Sequence, residues 1–216
     1  MGKGFDDAYR ETADFFGREP SEILSDHYRH LDPSLPVLDL GAGQGRHALF
    51  LARAGLTVDA VEPSAVGVER MTLIASREQL PMRIHHAEFQ QFTPRTRPFG
   101  GVLLLGLMPL LTREEIDLLL EKVDAWTTTG SLIFVTTFSS EDPACAERAT
   151  SDRQIGRHSY VDRQGQVWTY LEPREILHLF AGYKVVHHWE GLGEEHRHGD
   201  GPLERHASID AVFRKP

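Results

Sequence analysis

Short apolar runs of strand length alternate with amphipathic stretches along most of the chain, the arrangement of a doubly wound, mostly parallel sheet. The runs predict strands at about 35–40, 57–62, 82–87, 100–106 and 131–138. The last of these, SLIFVTTF, carries the β-branched content of a strand covered on both faces. A helix follows the glycine-rich stretch after residue 40 and stops at Gly55, a residue suited to the left-handed position past a helix end. A second starts after Ser64. The helix from Thr112 is the clearest, because Thr112 and Glu115 form a capping box and Ile116, Leu119, Leu120, Val123 and Trp126 share one face. Pro173 opens another, with Ile176, Leu177 and Phe180 inward and Gly182 at its end. Two further strands, about 183–190 and 206–214, are joined by a polar, glycine-bearing loop. The expectation is an α/β fold with a seven-stranded sheet, mostly parallel, with an antiparallel C-terminal hairpin.

Two segments fall outside the alternation. Residues 5–31 read as two short helices broken near Gly17 and Pro20 and carry Tyr9, Phe15, Phe16 and Tyr28. Residues 139–170 form a polar insertion ending in a hairpin with its turn near Gly165. Insertions at the carboxyl ends of parallel strands overhang the ligand crevice of such sheets. Residues 1–34 are therefore expected to form a helical lid and 139–170 a wall over the crevice, within one domain spanning 1–216.

The length of 216 residues suits one sizeable α/β core and is short for two. A formal net charge of −9 with no Lys/Arg cluster argues against a nucleic-acid substrate held by its phosphates. No apolar run approaches membrane-span length, and MGKGFDDAYRE lacks the apolar core of a signal peptide. The expected protein is cytoplasmic, a monomer or homodimer, with a small-molecule partner and neither membrane nor nucleic acid. Cys145 is the single cysteine, which excludes an internal disulfide and a cysteine-based zinc cage.

The chemistry concentrates in Asp39-Leu-Gly41-Ala-Gly43-Gln-Gly45, directly after the first apolar run. Alternate glycines strip the inner face of a strand-to-helix turn, so a ligand can approach the backbone amides closely. Glu62, ending the second run, is placed to accept the hydroxyls of a ribose. A dinucleotide fingerprint would have glycine where this chain has Arg46, which disfavours a nicotinamide-linked oxidoreductase, and a Walker loop's Lys-Ser/Thr ending is absent.

The pattern D-x-G-x-G-x-G resembles motif I of the class I S-adenosylmethionine-dependent methyltransferases, whose sheet is Rossmann-like. The resemblance implies that S-adenosyl-L-methionine is the cofactor. Asp39 suits its ammonium and the turn amides its carboxylate, with Gly41, Ala42, Gly43, Gly45, Pro63 and Gly106 completing the cradle beside Glu62. Glu88 would meet the adenine amino group and Phe89 would stack on the ring or pack in the core. The chain departs from the family by lacking an Asp before the fourth strand, where Phe99-Gly100 stands. It also has Leu107-Met108-Pro109-Leu110 in place of the Asn-Pro-Pro-Tyr type motif of methyltransferases acting on adenine or glutamine amino groups. The apolar lip points to the small-molecule branch, similar to the tellurite-resistance and thiopurine methyltransferase group, with Tyr9, Phe16 and Met108 as candidate substrate contacts.

Methyl transfer from a sulfonium is an in-line displacement in which an ionised sulfur, selenium or tellurium acceptor needs no base, whereas oxygen or nitrogen usually does. Half of the 12 histidines lie between 178 and 206. His196 and His198, two apart on a polar loop, are candidates for a base or for substrate contact, and Arg157 for holding an anionic substrate; no metal site is assigned. The alternative is a non-catalytic sensor or carrier that binds the same cofactor and uses the histidine loop for a metal or metalloid.

Overall fold

The computed structural model describes residues 3–95, 98–195 and 203–216. Helices α1 (Lys3–Glu11) and α2 (Glu22–His27) precede the sheet. Then β1 (Val37–Leu40), α3 (Arg46–Arg53), β2 (Val58–Glu62), α4 (Ala65–Glu78) and β3 (Met82–His86) wind one half. β4 (Phe99–Leu105), α5 (Arg113–Trp126) and β5 (Thr127–Phe138) begin the other. An excursion follows, made of α6 (Pro143–Ser151), β6 (Arg153–Gly156), β7 (Ser159–Val161) and β8 (Val167–Thr169). After α7 (Glu175–Leu179), β9 (Lys184–Leu192) and β10 (Ala207–Arg214) close the chain.

The main sheet has the order β3-β2-β1-β4-β5-β10-β9, with the first five strands parallel and β10 antiparallel to both neighbours. The expected seven strands, mostly parallel with an antiparallel C-terminal pair, are present. β10 inserts beside β5, which leaves β9 at the edge.

Strand alternation divides the core into two layers. Leu38, Ile133, Val135, Ile209 and Phe213 pack with Ile116, Leu119, Trp126 and Ile176 on one face. Val37, Leu132, Phe134 and Val212 pack with Leu24, Leu51 and Met71 on the other. Each such large apolar side chain, fully buried, contributes roughly 1.5–3 kcal/mol. The helix ends follow the expected chemistry. Ser64 caps α4 by accepting from Gly67 N at 3.1 Å, the Thr112–Glu115 capping box is closed, and Gly55 and Gly182 adopt φ near +90°.

Three elements differ from the sequence expectation, the first being α7, which starts at Glu175 after Arg174 (φ +63°) and not at Pro173. β5 starts at Thr127 rather than 131: Thr127 already pairs with Phe99, and an irregularity absorbs the turn at Gly130 (φ +88°) before regular pairing resumes at Leu132. The insertion holds more than a hairpin. Asp142 caps α6 by accepting from Ala144 N at 2.8 Å, Pro143 takes the first turn, and β6 joins the β7–β8 hairpin as a third strand.

Gly45 explains how α3 and α4 pack. It sits at φ +90°, and a Cβ there would stand 2.4 Å from Met71 Cγ. Gly45→Ala is expected to cost about 1–3 kcal/mol through strain and overpacking. The check is a urea midpoint shifted to lower concentration with an unchanged slope.

Candidate functional site

One continuous cleft of about 1820 Å³ lies along the carboxyl ends of the parallel strands, between the glycine turn, α1 and the excursion. Its first half is built by the turn after β1. Gly41 and Gly43 have φ of +73° and +58°, and the amides of Gly41 and Ala42 both donate to Val61 O. Glu62 then clamps the bend: Oε2 accepts from Gly43 N and Oε1 from Ser64 N, each at 2.7 Å. Only 5% exposed, Glu62 still lines the cleft, and burial pushes its carboxyl up while the two amide bonds oppose that rise.

Asp39 lies beneath the turn, not on the cleft wall. Burial, and secondarily the Glu62 charge, pushes its carboxyl up to about 7. Its Oδ2 has no hydrogen-bond partner among the described residues. A buried carboxylate oxygen left unbonded beside a ligand cleft suits a cationic or donor group that the chain itself does not supply. Of the expected cradle, Gly41, Ala42, Gly43, Pro63, Glu88, Phe89 and Gly106 line the cleft. Phe89 belongs to the core cluster as well, so it packs and lines at once. Gly106 (φ +81°) has open space where a Cβ would be. Gly45 faces Met71 instead and serves helix packing.

The N-terminal segment is gripped by side chains that sequence reasoning passed over. Gln44 Oε1 accepts from Phe15 N at 2.9 Å, and its Nε2 donates to Thr12 O at 2.8 Å. Arg46 donates to Phe16 O, Arg70 donates to Thr12 O at 2.8 Å, and Ser64 Oγ donates to Asp6. Tyr9 and Phe16 line the cleft as expected. The Tyr9 hydroxyl lies 2.9 Å from where a Gly43 Cβ would be, so the bare face of the turn is required by the lid too. His47, also on the cleft, stays neutral because burial lowers its pKa to about 3.

The second half of the cleft lies past Gly106, where Leu107, Pro109 and Leu110 form an apolar lip. Met108 is a correction: it is 0% exposed and belongs to the core, because the 3-10 turn over Met108–Leu110 swings it inward. Arg157 is another. Its side chain is 65% exposed and pairs with Glu172, away from the cleft. His196 and His198 lie outside the described residues. The far walls are Phe138, Trp168, Tyr170 and Trp189, with Arg148 stacked 4.1 Å from the Trp168 ring and bonded to Tyr170 Oη. His206 and Asp210 also line this half, His206 bonded to Asp142 and Asp210 to Thr136. Among the described residues no cluster of three or more metal-ligating side chains occurs, and no helix is long and apolar enough to cross a membrane.

Residues 37–130 match the family model of a methyltransferase domain. The fold is similar to that of TehB from Haemophilus influenzae (TM-score 0.72, 15% identity, 98% of this chain and 67% of that one). It is similar too to the Burkholderia thailandensis 1,6-didemethyltoxoflavin-N1-methyltransferase with bound 1,6-didemethyltoxoflavin and S-adenosylhomocysteine (TM-score 0.70, 18% identity, 98% and 85%). Hemagglutinin 1 of Eikenella corrodens is 54% identical over 47 residues, 22% of this chain and only 16% of that protein. The matched segment lies within a fold similar to that of solved methyltransferases.

Proposed function

We propose that this protein transfers the methyl group of S-adenosylmethionine to a small, largely apolar acceptor, leaving S-adenosylhomocysteine. The observation that carries the reading is the continuity of the cleft, which runs from the amide-lined turn past Gly106 into an aromatic chamber. A small planar acceptor fits walls of Phe138, Trp168, Tyr170 and Trp189 better than a folded protein would.

The residues present fit the cofactor. The unbonded Asp39 Oδ2 suits its ammonium, reached directly or through water. The turn from Gly41 to Gly43 presents backbone to the cleft for the carboxylate, and Glu62 keeps lone pairs free of its two amide bonds for the ribose hydroxyls. Glu88, Phe89 and Pro63 line the cleft and would flank the adenine. The cofactor supplies an activated methyl on a sulfonium. The chain's tasks are to orient the acceptor, exclude water and manage its proton. The lid over Tyr9 and Phe16 meets the second task.

Purified protein incubated with methyl-labelled cofactor and a panel of phenols, aromatic amines, thiols, selenite and tellurite is expected to label at least one product. Tight cofactor binding with label in no product would favour a sensor or carrier. Asp39→Asn is expected to weaken cofactor binding at least ten-fold by calorimetry. It should also flatten the pH dependence of apo stability. The folded-state carboxyl of Asp39 is raised from 3.8, so its contribution is full below about pH 4 and is lost as pH rises toward about 7. Thermal melts of wild type and variant across pH 4–7 read the difference.

A further inference from the structure

Resting on the methyl-transfer reading, we propose that His206 is the general base of the reaction, positioned by Asp142, and that the acceptor is a neutral hydroxyl or amine rather than an ionised chalcogen. Asp142 is held with unusual completeness. Its Oδ1 accepts from Ala144 N at 2.8 Å, and its Oδ2 accepts from Ala207 N at 2.9 Å and from His206 Nδ1 at 3.0 Å. Capping α6 needs only the first of these bonds. The second oxygen, on a side chain 1% exposed, fixes the tautomer and direction of an imidazole that lines the cleft.

With Nδ1–H committed to Asp142, Nε2 carries the lone pair. Phe138 lies against the ring at 4.7 Å with planes inclined by 33°, which sets its plane. The charged groups turned toward the ring include Asp142, from the loop before α6, and Glu204, from the segment before β10. Glu204 Oε2 stands 3.4 Å from Nε2. That contact belongs to the imidazolium, since a neutral ring protonated at Nδ1 has no donor at Nε2. Both carboxylates therefore stabilise the protonated form, and the hydrogen bond to Asp142 is the largest cause of a raised His206 pKa. This is the nucleophile–base–orienting carboxylate arrangement of acyl-transfer enzymes, here facing a methyl-transfer cleft with the nucleophile left to the acceptor.

The step balances. The lone pair of the acceptor oxygen or nitrogen forms the new bond to the methyl carbon. The bond from that carbon to sulfur breaks with its electrons retained on sulfur. The acceptor's proton passes to His206 Nε2 and later to solvent. An already ionised thiol, selenide or telluride would have no proton to give, and the built His206–Asp142 pair would be idle.

The test uses whichever acceptor of the panel takes label. Label is expected on oxygen or nitrogen. His206→Asn, which keeps a donor for Asp142, should then lower kcat at least ~100-fold, with cofactor affinity by calorimetry within two-fold of wild type. In Asp142→Asn the midpoint of the kcat/KM pH profile should move to lower pH, because the imidazolium loses its buried partner. A second readout needs no variant: carbethoxylation of His206 by diethyl pyrocarbonate, followed by mass spectrometry, should slow at least five-fold when S-adenosylhomocysteine and the acceptor are bound together. Label confined to thiols or chalcogens, an unchanged rate in His206→Asn, or no protection from carbethoxylation would overturn the base while leaving methyl transfer intact. Label in no acceptor would overturn both.

Discussion

The site depends first on the carboxylate of Glu62. By accepting from Gly43 N and Ser64 N it ties the turn after β1 to the turn after β2, adding to the bonds from Gly41 N and Ala42 N to Val61 O. Charge-assisted bonds of this kind are each worth about 1.5–3 kcal/mol, set against the cost of burying the carboxylate. The clamp has to be strong because the turn it fixes contains Gly41, Gly43 and Gly45, all at positive φ and entropically expensive to order. A carboxylate has about four lone-pair directions and the amides occupy two. The group that shapes the cradle thus also presents acceptors to whatever enters it.

The residues between the glycines carry a second consequence. Gln44 and Arg46 also line the cleft, and they hold the backbone at Thr12, Phe15 and Phe16. Asp6 reaches the first turn of α4, at Ser64, the same residue whose amide Glu62 holds. The N-terminal segment and the glycine turn are consequently one hydrogen-bonded unit. The same segment carries the aromatic cluster of Phe5, Tyr9 and Phe16, whose rings lie 5.6–6.3 Å apart.

Features that depend on local chemistry were legible in the sequence. The strands, the Ser64 and Thr112 caps, the breaks at Gly55 and Gly182, and the placement of Glu62 all follow from period and short-range bonding. Features that depend on which way a residue turns were not. The apolar lip at 107–110 is present, but a 3-10 turn decides that Met108 faces the core and its neighbours the cleft. Gly45 shares the motif's spacing yet answers to Met71, in a helix far along the chain. Arg157 finds Glu172 because of the way the excursion folds back. The density of histidines drew notice to His196 and His198, whereas His206 is singled out by a partner in another element. Asp142-Pro143 did carry a readable signal, an N-cap followed by proline at the first helical position.

The division of labour along the chain follows from strand direction. Parallel strands deliver their carboxyl ends to one rim, where the cradle forms after β1, β2 and β4. β10 runs antiparallel to β5, so its first residues, not its last, arrive at that rim. Ser208 pairs with Phe138 and Asp210 with Thr136, and both residues line the cleft while the alternating Ala207, Ile209 and Ala211 are buried. Reversing a single strand thus brings residues from the end of the chain to the cleft that residues from its beginning also line. The matched methyltransferase segment ends at residue 130, before the excursion, β9 and β10. Those later elements supply the aromatic walls of the cleft and His206, so that half of the cleft is built by the part of the chain outside the matched segment.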